Sequence, residues 1–289
     1  MKKLCLIYGN CQGSGLSRLL AISSEFANTY NVVVTSNWEN KTFPVDLLPQ
    51  SDLFLYQPTK AWERAPSTER MLEMLPVGSR AISFPYMYCN GLWPFHRRSS
   101  RKNTGPQFPC ERHYYADVVL DELAASPLPM DRIKKIYMAL DFEKEYSAAQ
   151  AMEESLSLQR DKEKTVDIKT VSVIQTLIKR VTLFFTVRHP SPFLYYVAAN
   201  QVLAILGLPK IGLRQLPFAG PIYKVDYHHP IHPGLAKQLG LSYVTPDTRY
   251  NLWGQNFTYE QYLEDYVTHR RMHAELEQLV SREKQVAKV

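Results

Sequence analysis

The chain has 289 residues, 45% of them hydrophobic, and carries 34 Lys+Arg against 28 Asp+Glu for a formal net charge of +6. A chain of that length makes one large domain or two small ones and buries about three quarters of its unfolded surface without disulfide staples. The thin positive excess suits an anionic small molecule; no recognised nucleic-acid motif accompanies it, so nucleic acid is not an expected partner. No apolar run approaches about 18 residues, which excludes a membrane-spanning helix. Lys2 and Lys3 precede only a few apolar residues before Gly9, too few for a signal peptide. Cys5, Cys11, Cys89 and Cys110 form no C-x-x-C pair, so a zinc site is unsupported and a reduced, cytoplasmic chain is expected.

Leu4 to Tyr8 reads as a first strand and breaks into a polar turn, Gly9 to Gly15, that holds three glycines, Cys11, Asn10 and Gln12. Leu16, Leu19 and Leu20 follow at helical spacing. Asn31–Thr35, Asp52–Pro58 and Arg80–Phe84 read as further strands, with a helix from a Ser67 cap to about Leu75 between the last two. Strand and helix alternate at short intervals, which implies an α/β fold with a parallel sheet flanked by helices. Ligands bind such sheets at the carboxyl ends of the strands, the edge that holds the Gly9–Gly15 turn.

Pro85 to Pro109 reads as a long irregular loop, rich in aromatic residues, with Arg97, Arg98, Arg101 and Lys102 beside His96. A helix is expected over His113–Ala125, another over Met130–Leu140, and an exposed helical arm over residues 143–164 within a single domain spanning 1–289. Asp167 is a candidate cap for a helix to Lys179, with a strand the competing reading of its β-branched residues. Val181–Val187 is the strongest strand signal; it ends at Arg188-His189-Pro190, and a helix over Phe193–Leu206 follows. Leu208–Thr248 reads as loop with a short helix near Leu235–Leu239. Thr258 and Gln261 form a capping box for a final helix with Tyr259, Tyr262, Leu263, Tyr266 and Val267 on one face.

A thiol at a helix N-terminus has its pKa lowered by the dipole and the free N–H groups, so Cys11 is a candidate nucleophile. Asn10 and Gln12 offer amide donors for an oxyanion. The competing reading is a tight turn with Cys11 filling a pocket. His189, directly after the best strand, could act as base towards Cys11 or a sugar hydroxyl; equally, it could bind a backbone carbonyl. Gly9, Gly13, Ser14 and, far along the chain, Arg188 complete the expected binding residues; the cations of the 96–102 loop could clamp a phosphate, although a solvated loop is the commoner reading of such a charge run. A metal at His228, His229 and His232 is the minority reading, and no metal is assigned. Asp117 and Asp167 could orient His189, although capping is their ordinary role.

Tyr8-Gly9-Asn10-Cys11-Gln12, Gln57-Pro58, Phe84-Pro85, Tyr115-Ala116-Asp117 and Thr186-Val187-Arg188-His189-Pro190, in that order, resemble the WcbI family of polysaccharide biosynthesis proteins. The resemblance implies a coenzyme-A-binding acetyltransferase acting on capsular sugars, with acetyl-CoA as donor and an SGNH-like three-layer core carrying added helices and long loops. It puts Cys11 where the SGNH/GDSL esterases have serine and matches His189 to their histidine. Thr186 stands where those enzymes have aspartate, which points to a dyad or to His189 acting alone. The partners it implies are an acyl donor and a sugar or polysaccharide acceptor, with a homo-oligomer left open. A sulfotransferase using a 3′-phosphoadenosine donor and a non-catalytic nucleotide-binding scaffold are the alternatives.

Overall fold

The structure is a computed structural model that describes residues 2–37, 42–61, 63–98, 112–144, 146–222 and 227–286, with side chains through Leu279 apart from Arg98. The chain reads as one domain, whereas its contacts divide it into two compact units. The first comprises Met1–Cys89 with Glu154–Lys224, the second Asn90–Glu153 with Val225–Val289.

The first unit is built on four parallel strands, β1 (Lys3–Gly9), β2 (Tyr30–Ser36), β3 (Leu53–Tyr56) and β4 (Arg80–Ser83), in the order β2-β1-β3-β4. Helices α1 (Cys11–Leu20), α2 (Ser24–Thr29) and α3 (Thr68–Glu73) lie between successive strands. Ser67 caps α3, its hydroxyl accepting from Arg70 N. A central parallel strand is covered on both faces, so β1 is continuously apolar, with Cys5, Leu6 and Ile7 fully buried. Alternation sends Leu6 and Tyr8 to one face, against Phe54, Leu48 and Met71. Ile7 points to the other, where α1 packs on it at Gly13: a Cβ there would sit 3.4 Å from Ile7 Cγ2, in ordinary van der Waals contact. Helices on both faces of a parallel sheet bear out the expected α/β architecture.

Three expectations need correction here. Phe184–Thr186 is the only strand within Val181–Val187, and it pairs antiparallel with His189–Pro190 instead of joining the sheet. An apolar run signals burial but not its partner, and Pro190 has no N–H to extend the ladder. Asp167 does not cap a helix; its carboxylate accepts from Ser83 N at 2.7 Å and Ser83 Oγ at 2.6 Å, fastening the end of β4. The helix of that region is Val171–Leu177, and Glu163 Oε1 accepts from Val171 N at 3.0 Å and Thr170 Oγ1 at 2.8 Å at its start. Finally, the segment read as an exposed arm holds the helix Ala148–Glu163, in which Met152, Ser155, Leu156, Gln159 and Glu163 are buried at helical spacing. Polar residues on its packed face hide that face from a hydropathy reading.

In the second unit, His96–Arg98 pairs antiparallel with Tyr115–Asp117, and the expected helix from His113 begins only at Val118. Asp117 is its N-cap, accepting from Leu120 N at 2.9 Å. The final helix, Tyr259–Val286, starts with the expected box: Gln261 N donates to Thr258 Oγ1 at 3.2 Å and Thr258 N to Gln261 Oε1 at 2.9 Å. Its Tyr259, Tyr262, Leu263, Tyr266 and Val267 pack with Tyr115, Tyr137, Tyr227 and Tyr250 into a tyrosine-rich core.

Candidate active site at the carboxyl edge of the sheet

The polypeptide leaves β1 at Gly9 and enters α1 within two residues. Asn10 is extended, and its Oδ1 accepts from Gln12 N at 2.9 Å, so the helix begins at Cys11. The polar turn is therefore shorter than the sequence suggests, and Gly13, Ser14 and Gly15 are helical. The glycines serve close approach. A Cβ at Gly9 would lie 2.8 Å from Gln57 Oε1, and one at Gly15 would lie 2.6 Å from Tyr195 in the helix Pro192–Leu206. Ser14 is exposed on α1.

Gln12 and Gln57 form a buried amide pair that ties the edge together. Gln57 Oε1 accepts from Asn10 N at 2.9 Å, while its Nε2 donates to Gln12 Oε1 and to Pro85 O, both at 3.3 Å. Gln12 Oε1 also accepts from Met87 N at 2.9 Å, and Gln12 Nε2 donates to Met87 O at 2.7 Å and Arg188 O at 3.0 Å. Gln12 thus directs its amide inward, joining three segments that follow three different strands. Of the two expected amide donors, Asn10 alone keeps an NH2 group with no hydrogen bond among the described residues.

Cys11 is half-buried in the first turn of α1. Burial pushes its thiol up, against the opposing pull of its own N–H, the Arg188 guanidinium and Gln12 N–H. The expected lowering by the helix terminus is present but loses to desolvation. Arg188 is exposed and follows Val187, whose carbonyl accepts from Cys89 N at 3.0 Å. His189 is half-buried; burial, then Arg188, holds its imidazole down at about 4, so it is neutral at neutral pH. Thr186, at the position of the esterase aspartate, accepts from Arg188 N through Oγ1 at 3.3 Å. Sequence reasoning missed Lys162, whose Nζ lies 4.9 Å from the Tyr86 ring centroid and 5.3 Å from that of Tyr88.

Arg97 belongs to the second unit and pairs with Asp121 at 2.6 Å. Arg98 is in the neighbouring strand position, and Arg101 and Lys102 lie outside the described residues. His232 uses both ring nitrogens, Nε2 with Tyr137 O and Nδ1 with Gly234 N, each at 3.0 Å, while His229 is buried among Trp93, Tyr115 and Tyr227. Asp117 holds a helix start and the Tyr137 hydroxyl, and Asp167 holds Ser83. A triplet not anticipated, His113, Asp265 and His269, brings its ligating atoms within 4.8 Å of one another. Asp265 there already accepts from Arg112 at 3.2 Å and pairs with His113 at 2.8 Å.

The carboxyl edge of the sheet joins a Gly-Asn-Cys-Gln helix start to an Arg-His-Pro turn distant in sequence. Residues 4–210 match the family described as polysaccharide biosynthesis enzyme WcbI. The chain belongs to that family. A solved structure of WcbI, described as a novel polysaccharide biosynthesis enzyme in native form without a disulfide bond between coenzyme A and one of its cysteines, matches 94% of this chain and 91% of its own. The two share 21% identity at a TM-score of 0.70, which shows a common fold. No curated protein matches.

Proposed function

We propose that the protein binds acyl-coenzyme A, most simply acetyl-CoA, at the Cys11 edge of the sheet and transfers the acyl group to a sugar hydroxyl. The observation that carries this reading is the clamp of Gln12 on Arg188, which joins the turn bearing His189 to the helix start bearing Cys11. The family name supplies the saccharide, and the relative described by its cysteine and coenzyme A supports a donor thiol beside Cys11.

His189 is the general base, because a neutral imidazole accepts a proton. The acceptor hydroxyl gives its proton to His189 as its oxygen bonds to the thioester carbon. The carbon–sulfur bond then breaks, and the departing thiolate takes the proton back. The NH2 of Asn10 stabilises the oxyanion formed in between. Cys11, held as a thiol by burial, lines the carbonyl rather than carrying the acyl group.

Acetyl-CoA turnover is assayed by thiol release with sugar acceptors, alongside intact mass after donor incubation. Expected are an unmodified Cys11 and a fall in kcat of about 100-fold or more in His189→Gln. Calorimetry should show coenzyme A binding more tightly than adenosine 3′,5′-bisphosphate through its pantetheine arm. Equal affinity for the two would favour the sulfotransferase reading, and no binding of either would sink the acyl-transfer proposal.

A further inference from the structure

Lys162 and Arg188 of the first unit are cations that no carboxylate of the described residues neutralises. Lys162 is half-buried on the helix Ala148–Glu163, its ammonium spread over the faces of Tyr86 and Tyr88. Gln159, one turn earlier, fixes this arrangement by donating to Tyr86 O at 3.0 Å. Arg188 lies within electrostatic reach of Lys162, Tyr88 and Cys11. Neighbouring lysines are otherwise employed: Lys164 pairs with Asp161 at 2.7 Å.

Two like charges held together, one of them partly desolvated, cost free energy in the empty protein. Burial, then Arg188, pulls the lysine below its ordinary range. Tyrosine faces recover part of that cost, but a ring quadrupole is a weak substitute for an anion. The arrangement is built for a negative group that arrives with the ligand. The paired positive charge suits a diphosphate, which offers several oxygens to an ammonium and a guanidinium fork at once.

We infer that Lys162, above Tyr86 and Tyr88, and the neighbouring Arg188 form the seat for a diphosphate group of a substrate whose reacting end lies at Cys11. This rests on the acyl-CoA reading for the identity of the donor, although a nucleoside-diphosphate sugar carries the same group. Of the cations expected to meet phosphate in the 96–102 loop, Arg97 is paired with Asp121, and Arg101 and Lys102 lie outside the described residues.

The test is calorimetry on the full chain as wild type, Lys162→Met and Arg188→Gln, with coenzyme A, pantetheine, inorganic diphosphate and UDP-glucose as probes. Lys162→Met keeps an apolar stem on the rings, and Arg188 is exposed, so two independent variants guard against a folding defect read by circular dichroism. Expected is a loss of about tenfold or more in coenzyme A and diphosphate affinity in each variant, with pantetheine binding unchanged. Equal coenzyme A binding by wild type and both variants overturns the seat and leaves the acyl-CoA reading standing. Lys162-dependent binding of diphosphate and UDP-glucose without coenzyme A binding upholds the seat and removes that donor. Wild type binding none of the phosphate probes overturns both.

Discussion

Gln12 Nε2 donates to the carbonyl of Arg188 at 3.0 Å, across 176 positions of sequence. That bond sets the position of the turn bearing His189 relative to the thiol-bearing helix start. Replacing Gln12 with leucine leaves the Met87 N–H and the Met87 and Arg188 carbonyls without these partners in a buried setting. The expected cost is about 3 kcal/mol or more in urea unfolding, since each stranded buried group costs about 1–3 kcal/mol. An unchanged midpoint would mean that water or a neighbour replaces the amide without loss.

Asn10 has two separable duties. Asn10→Asp keeps the oxygen that accepts from Gln12 N and removes the NH2 donor. Thermal stability is expected to hold or rise, because aspartate is a good N-cap, while kcat for acyl transfer falls by about 100-fold. Retained activity would remove Asn10 from the chemistry.

Cys11 is expected to alkylate slowly at neutral pH. Burial keeps the thiol protonated, so the iodoacetamide rate should climb with pH through a midpoint above the ordinary value of about 8.5. Arg188 pulls the other way, so Arg188→Gln should move the midpoint higher still. A midpoint below 8 in the wild type would restore the thiolate and the covalent route.

Three buried histidines and the half-buried His189 make the fold acid-sensitive. His113, His189 and His232 are held at about 4 and His229 well below its ordinary range, in each case first by burial. Between about pH 6.5 and 4 the unfolded chain binds these protons and the native chain does not, so stability declines as pH falls through that window. Urea midpoints measured from pH 7.5 to 4.5 should drop steadily, and His189→Gln should flatten the slope. A midpoint independent of pH would contradict the assignment.

Gly15 lies against Tyr195, with a virtual Cβ 2.6 Å from the ring. Gly15→Ala should destabilise by about 1–3 kcal/mol by forcing the two helices apart, and adding Tyr195→Leu should recover part of the loss. Additive costs would show that the backbone, not the ring, resists the change.

Local chemistry made much of this fold legible. The apolar run of β1, the Ser67 cap and the Thr258–Gln261 box each depend on residues a few positions apart, and each formed as read. The parallel sheet followed from alternation of strands with helices. What the sequence concealed depends on distant partners. Gln12 reads as a free amide until Met87 and Arg188 are seen around it. Asp167 reads as a cap until Ser83 takes its carboxylate. Lys162 reads as solvated because the tyrosines beneath it lie more than seventy residues away. The Cys11 thiol was misjudged for a related reason: a helix terminus is visible in sequence, but the depth at which it is buried is not.

The polypeptide passes between its two compact units three times, after Cys89, Glu153 and Lys224. Neither unit can be liberated as a continuous fragment, and no single nick separates them. During vectorial synthesis, the first becomes complete once Lys224 has emerged, whereas the second waits for the terminal tyrosine-bearing helix. A nascent chain halted between those points would display a finished Cys11 edge while half of the tyrosine core still lacked its closing element, which makes late emergence the stage most exposed to aggregation.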